Sequence, residues 1–120
     1  MGLFDVTQAA LERALEGSSL RQRALANNLA NANTVRFKRS DVDFQSALAD
    51  ALDAADPAAD VATTSFAPVT DTVTTARLDG NNVDVDAEMA NLSENAVTYQ
   101  ALVAVAKARL HMIEIAIGGR

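Results

Sequence analysis

The longest helical pattern in the chain lies between Asp86 and Ile117. Apolar residues recur there at alternating steps of three and four, the spacing of a helix that presents one seam to a partner helix. Asp84 and Asp86 are candidate N-caps, and Gly118 and Gly119 end the pattern. The sequence therefore predicts a helix of about 32 residues, roughly 48 Å long. The seam consists of Met89, Leu92, Ala96, Tyr99, Val103, Ala106, Leu110, Ile113 and Ile117.

A second helical pattern runs from Leu3 to Ala32. Its stripe has the same spacing after the first step, but Ser18 and Gln22 fall on it and interrupt its apolar character. Gly17 lies beside these polar residues and lowers helix propensity by up to about 1 kcal/mol. The sequence therefore predicts a helix that frays or bends near Gly17. Its apolar seam positions are Phe4, Leu11, Leu15, Leu25 and Leu29.

Asparagines cluster at the end of this first helix, at Asn27, Asn28, Asn31 and Asn33. Asparagine is a mediocre helix former and a good turn residue, so one interpretation is simply a helix end. The other is a contact surface for a neighbouring subunit, which we favour because the amides cost helix propensity without an obvious capping role. A short basic segment, 36–39, follows, and it is either solvated or meets an acidic neighbour.

The segment between the two long patterns is less regular. Residues 41–53 have apolar side chains at helical spacing around Phe44, which predicts either a short amphipathic helix or a loop anchored by Phe44. Residues 54–75 are rich in Ala, Asp, Thr and Pro, and we expect the prolines to break any helix there and the segment to be mobile. A short strand or extended piece is compatible with this composition. Gly80-Asn81-Asn82 then predicts a turn that leads into the last helix.

These patterns predict an all-α protein whose long N- and C-terminal helices pair as a coiled coil around a short irregular middle segment. We divide the chain into residues 1–34, 35–83 and 84–120, of which the first and last are the coiled-coil parts. Because polar residues interrupt the first seam, we expect imperfect pairing that leaves polar groups for adjacent subunits. Candidates for such contacts outside the seam are Asn95, Thr98 and Lys107.

Composition narrows the possible functions. The chain has 120 residues, and although 49% are apolar only 4% are aromatic, which suits thin helix–helix seams better than a thick core. Its net charge of −6 disfavours binding to nucleic acid. It has no cysteine and no apolar run long enough to cross a membrane. The first residues lack a basic region followed by a continuous apolar one, so we expect no cleaved secretory signal.

No arrangement of residues in the sequence indicates catalysis. The only histidine, His111, has no nucleophile or carboxylate placed around it by spacing, and we interpret it as a surface or interface residue. The acidic residues 79–88 do not match the ligand spacing of a calcium loop, and caps are the better explanation. We therefore predict no enzymatic activity, no metal, no cofactor and no small-molecule substrate, and we expect a role in assembly.

Two motifs carry a resemblance to a known family: ANNLANANT at 26–34 and GNNVDVDAEM at 80–89. They resemble the N-terminal signature of the bacterial flagellar axial proteins (the rod, hook and hook-associated proteins) and the C-terminal signature of the rod proteins among them. The family usually continues its first motif with a Pro-Gly-Tyr/Phe-Lys run. Here the run reads Val35-Arg36-Phe37-Lys38, which matches at its last two positions. Shorter matches are Leu3–Asp5, Ser19–Gln22, Asp41–Phe44, Leu92, Asn95, Tyr99, Gln100 and Ala116–Arg120.

The resemblance implies a structural subunit of the flagellar basal-body rod, the drive shaft that transmits torque across the periplasm. Such a subunit would be exported through the flagellar type III apparatus and would assemble through its terminal helices. The implied partners are other copies of itself, adjoining rod proteins, the basal-body adaptor at the rod base and the export gate. The residues implied as family motif and subunit contacts are Asn27, Asn28, Asn31, Asn33, Asn81, Asn82, Asp84 and Asp86.

A second function agrees with the helical patterns alone. The chain could be a free-standing cytoplasmic adaptor that binds a partner helix. The two functions differ in location, because a rod subunit leaves the cytoplasm and an adaptor stays there. An enzyme is a remote third alternative, which would require a well-formed pocket near His111.

Overall fold

A computed structural model describes residues 3–118, with side chains from residue 6 onward. Two long helices, α1 (Leu3–Ala30) and α4 (Val85–Gly118), lie antiparallel, as contacts between Gln8 and Arg109 and between Ser18 and Asn95 require. The chain is elongated, with principal extents of 63 × 32 × 14 Å. The predicted all-α architecture with two long terminal helices is confirmed. No helix within the described range is long and apolar enough to cross a membrane.

The start of α4 agrees with the predicted cap. The Asp84 carboxylate accepts hydrogen bonds from the backbone N–H groups of Asp86 and Ala87, at 3.1 and 3.2 Å. These are donors that the first turn of a helix cannot satisfy internally. Asp84 is therefore the N-cap, and Asp86 lies in the first turn, where its charge complements the helix dipole. Gly118 is the last helical residue, and Gly119 lies outside the described residues.

Helix α1 continues without interruption through Gly17, so the helix does not fray at this glycine. The next helix, α2 (Phe44–Leu52), packs against α1 at this point. A Cβ atom built on Gly17 would lie 2.4 Å from the Cβ of Phe44. The glycine therefore serves close packing of two helices, and the energy gained from that contact compensates for its low helix propensity.

Replacing Gly17 with alanine should destabilise the chain even though alanine is the better helix former. The gain in propensity is about 1 kcal/mol, whereas forcing a methyl group against Phe44 costs typically 1–3 kcal/mol. Urea unfolding followed by circular dichroism measures the difference. Gly118→Ala is the matched control, because nothing lies within 4 Å of a Cβ built there and no loss of stability is expected. Equal stability of Gly17→Ala and the parent would contradict the packing explanation.

The middle segment contains more structure than predicted. Helix α2 confirms the short amphipathic helix, and a further helix, α3 (Pro57–Thr63), begins where we expected a proline to end one. The error has a clear cause: proline is well tolerated in the first helical position, and the Asp56 carboxylate caps the helix by accepting from the N–H of Ala59. Strands β1 (Ser40–Asp41) and β2 (Val69–Thr70) pair antiparallel, with Ser40 opposite Thr70.

A small core lies where α2 and α3 pack on α1. Its centre is Phe44, which contacts the ring of Phe66 edge-on at 6.3 Å between centroids. This core holds the middle segment against one side of α1, and it leaves much of α4 outside. The buried members of the core are Ala14, Ala24, Val42, Phe44, Leu48, Ala51 and Val61, with Ala9, Ala10, Leu20, Phe66 and Leu102 packed against them.

The turn after α1 keeps a conformation that suits glycine. Arg36 has a φ of 63°, at the position where the family run usually has glycine. Its N–H donates to the carbonyl of Asp79 at 2.9 Å, and its Cα lies 3.2 Å from a Cβ built on Gly80. Gly80 itself has a φ of 84°. The segments around residues 36 and 80 thus pass close to each other and bring the end of α1 next to the start of α4.

Candidate assembly interface

The side of α4 that faces α1 carries polar residues at three levels. Asn95 and Glu88 are each about 1% exposed, and Arg109 is half-buried further along the helix. Arg109 donates a hydrogen bond to Gln8 at 3.1 Å. Between these levels, the apolar residue Leu102 packs on the core. The pairing of the two long helices therefore depends on hydrogen bonds as well as on apolar contact.

Asn95 uses both ends of its amide group within the chain. Its Nδ2 donates to the backbone carbonyl of Ser18 and to Oε1 of Gln22, both at 2.8 Å. Its Oδ1 accepts from the hydroxyl of Ser18 at 3.3 Å. Ser18 and Gln22, the residues that interrupt the first seam, are thus the partners of Asn95 and do not remain free for adjacent subunits. The same burial removes Asn95 from the candidates for intersubunit contact.

Glu88 is held by residues from two other parts of the chain. Arg39 donates to one oxygen of its carboxylate, and Nδ2 of Asn28 donates to the other at 3.3 Å. Asn28 also pairs with the backbone of Ser40, donating to the carbonyl at 2.6 Å and accepting from the N–H at 2.9 Å. A buried carboxylate requires such partners, because its desolvation is costly. The site thus links α1, β1 and α4.

Arg39 extends this link to the middle segment. Its guanidinium reaches Asp41 at 3.4 Å and Asp71 at 3.5 Å, and Asp41 also accepts from Arg21 at 2.8 Å. Of the two readings of the basic segment 36–39, the acidic neighbour holds for Arg39, and that neighbour lies within the chain. The pairing of Arg39 with Glu88 could not be predicted from the sequence, because 49 residues separate the two and Glu88 also suits a first helical turn.

The polar network consists of these linked side chains, and oppositely charged groups lie next to each other in it. Its members are Arg21, Asn28, Arg39, Asp41, Asp71 and Glu88. The hydrogen bond to Glu88 raises the pKa of Arg39, although burial opposes that shift. Burial by itself would raise the pKa of Asp41, but hydrogen bonds from Arg21 and from the N–H of Val42, with the positive charge of both arginines, leave it below its ordinary value. Arg39 and Asp41 are therefore both ionised at neutral pH.

The predicted seam of α4 lies beside the contact with α1 and is covered only in part. At about 100° per residue, its centre lies roughly 70° around the helix from the positions that face α1. Leu110 is 60% exposed and Ile117 is 84% exposed. The exposed members of the seam are Met89, Tyr99, Leu110 and Ile117. The half-buried members are Leu92, Ala96, Val103, Ala106 and Ile113.

A second apolar face runs along the other side of α4. Its large residues are all exposed, and alanines lie between them. At 100° per residue this face lies roughly opposite the predicted seam. The regular spacing of the seam did not predict this face, although a helix that is apolar on more than one side indicates burial on more than one side. Its large residues are Val97, Val105, Met112 and Ile115.

The predicted seam residues of α1 lie closer to the interior. Leu11 and Leu25 are buried, and Leu15 and Leu29 are half-buried. Phe4 lies in α1, but its side chain is outside the described part of the chain. The interior side of α1 is thus occupied within the chain, whereas α4 leaves most of its apolar surface uncovered.

The asparagines divide into an inner and an outer group. Asn28, Asn81 and Asn82 are buried, so they cannot line a surface for another subunit, contrary to the expectation for these three. Asn27 and Asn33 are exposed. Asn31 is half-buried, and Asp84 and Asp86 are exposed at the start of α4.

The buried amides join the end of α1 to the start of α4. Nδ2 of Asn81 donates to the carbonyls of Asn31 and Thr34, at 2.9 and 2.8 Å, and thereby holds the turn that follows α1. The side chain of Asn82 bridges the N–H of Arg39 and the carbonyl of Asp71. Both motifs of the sequence analysis therefore meet in space and hold each other.

These features define a class of protein. An elongated chain with two paired helices, a braced middle segment and two exposed apolar faces on one helix is built for helical packing with other chains. Titratable groups in the polar network are engaged with one another, and their arrangement is that of a structural link.

Comparison with known proteins shows which family within this class the chain resembles. A family model described as "Flagella basal body rod protein" matches residues 9–38. The flagellar basal body rod protein FlgB of Bacillus subtilis is 36% identical over 111 residues, which cover 86% of each chain. FlgB of Borrelia hermsii is 33% identical, over 82% of this chain and 86% of the relative. FlgB of Borreliella burgdorferi is 32% identical, over 78% of this chain and 82% of the relative.

The chain therefore belongs to the flagellar basal body rod protein family, and the relatives that it matches over most of its length are FlgB proteins. It is a structural subunit of the rod and not an enzyme, and its place is the flagellar basal body. As a rod protein it assembles with rod proteins. These comparisons decide against the cytoplasmic adaptor.

Proposed function

We propose that α4 carries the lateral contacts of this subunit in the rod, through two separate faces. The first face is the predicted seam, with its exposed members Met89, Tyr99, Leu110 and Ile117. The second is the face defined by Val97, Val105, Met112 and Ile115. The observation that supports the proposal is that a 34-residue helix leaves large apolar side chains exposed on both sides of its contact with α1.

Two different faces suit an open assembly. A face that meets a copy of itself closes a dimer, whereas two different faces that meet each other leave a free face at each end and allow growth. The two apolar faces of α4 lie roughly opposite each other, so one copy can be held between two neighbours. We infer that α4 packs against helices of two adjacent subunits and that α1 braces it from a third side.

The proposed partners follow from the family. Other copies of this chain and adjoining rod proteins would meet the two faces of α4, and the basal-body adaptor and the export gate would meet the chain at the rod base. The exposed polar residues Asn27, Asn33, Asp84 and Asp86 lie where α1 ends and α4 begins, and we assign them to contacts at that end of the subunit. Residues 1–34 and 84–120 would carry the assembly, and residues 35–83 would stiffen it. A stiff packed shaft of this kind would transmit torque across the periplasm after type III export.

Photo-crosslinking in purified basal bodies tests the two faces. Benzoylphenylalanine placed at Tyr99 reports on the predicted seam, and at Met112 it reports on the second face. We expect adducts to a second copy or to another rod protein from both positions, identified by mass spectrometry. Ser93, exposed on the polar side of α4, is the matched control and should give few adducts. Adducts from Ser93 alone would refute the assignment of the faces.

A further inference from the structure

The side of α4 that faces α1 is polar, and this orientation needs a physical explanation. Burying the predicted seam against α1 would remove Tyr99 and Leu110 from water, which the hydrophobic effect favours. The structure instead places Glu88 and Asn95 against α1. These two residues are seven positions apart, two helical turns, so they lie on the same side of α4. Some interaction must therefore outweigh the burial that the seam would gain.

The contacts of Asn95 supply that interaction. Its amide satisfies the carbonyl and hydroxyl of Ser18 and the amide of Gln22, and both Ser18 and Asn95 are buried. Turning the seam toward α1 would carry Asn95 away from these partners and would leave the Ser18 hydroxyl buried without them. An unsatisfied buried polar group loses its hydration without replacement, which opposes the rotation.

We propose that the cluster of Ser18, Gln22 and Asn95 is a rotational lock on α4. Glu88 fixes the first turns of the helix through Arg39 and Asn28, and Asn95 fixes the orientation of the helix beyond it. The lock keeps the outer edge of the predicted seam, with Tyr99 and Leu110, exposed. A role of this lock in assembly rests on the proposed function of the seam. The orientation of α4 does not rest on that function.

Cysteine alkylation measures this orientation directly, because the natural chain contains no cysteine. Leu110→Cys places a thiol on the exposed seam, and Leu102→Cys places one on the side that faces α1. In the parent chain we expect fast alkylation at position 110 and slow alkylation at 102, because a thiol must be accessible to react. Adding Ser18→Ala and Asn95→Leu should slow position 110 several-fold and speed position 102 several-fold.

The opposite changes at the two positions distinguish rotation from loss of structure. Unfolding would speed both reactions, and that result would overturn the proposal, as would unchanged rates at both positions. Asn91→Leu in each cysteine background is the matched control, since Asn91 is half-buried on the same side of α4. It makes the same chemical change one turn away from Asn95 and should leave both rates as in the parent. Because the readout is alkylation of the purified chain, it is independent of incorporation into the rod.

Discussion

Replacing Leu110 with aspartate should abolish incorporation of the subunit into the rod while leaving its fold intact. Leu110 is 60% exposed in the single chain, so a charge there stays hydrated and should change the free energy of unfolding by no more than about 0.5 kcal/mol. In an assembled rod the same charge would be buried against an apolar neighbour without a partner, which is among the most costly changes an interface can undergo. Loss of swimming on soft agar and absence of the chain from purified basal bodies are the expected results.

Three consecutive residues of α4 allow each side of the helix to be tested separately. Leu110, His111 and Met112 point to the predicted seam, the polar side and the second apolar face respectively, because successive residues are about 100° apart. We expect Met112→Asp to be as defective as Leu110→Asp. His111→Asp introduces the same charge at an exposed residue and should remain motile. Ile113→Asp is less informative, since Ile113 is half-buried toward α1 and its replacement would also affect the fold. Normal motility of Leu110→Asp would exclude the seam from the interface.

Replacing Arg39 with methionine should be the most destabilising single change in the polar network. The Arg39 side chain is 17% exposed and Glu88 is 1% exposed, so the substitution leaves a buried carboxylate without its main partner. Breaking a buried pair from one side costs about 3–5 kcal/mol. Thermal and urea unfolding by circular dichroism measure the loss. The physical reason is desolvation: Asn28 remains near Glu88, but one neutral amide cannot compensate for a missing positive charge.

A double variant separates the cost of the unpaired charge from the loss of contacts. Arg39→Met combined with Glu88→Met removes both charges, and the double variant should be more stable than Arg39→Met alone. Arg23→Met makes the same substitution at an exposed arginine of α1 and should change stability by no more than about 0.5 kcal/mol. If Arg39→Met were as stable as Arg23→Met, the network could not be what joins α1, β1 and α4.

Hydrophobic periodicity was sufficient to predict both long helices, because each runs for many turns and local spacing decides whether a helix forms. For residues 41–53 it left a helix and a loop as alternatives, and the structure shows the helix α2, which is capped by Asp43. It failed at α3, where we treated Pro57 as a breaker although its position after Asp56 makes it a helix start. It also failed at Gly17, because the need for glycine there comes from Phe44, a residue on another helix.

The sequence by itself determined that this protein has a long apolar helix at each end, few aromatic residues and the two motifs of a rod protein. Only the tertiary structure decided which side of the last helix faces the first. The predicted seam is the better apolar stripe, yet Asn95 and Glu88 occupy the contact with α1. Their partners lie 77, 73, 60 and 49 residues away in the chain, and no local spacing reveals hydrogen bonds over such separations. Once those bonds form, the apolar faces of α4 remain outside, where they can meet other chains.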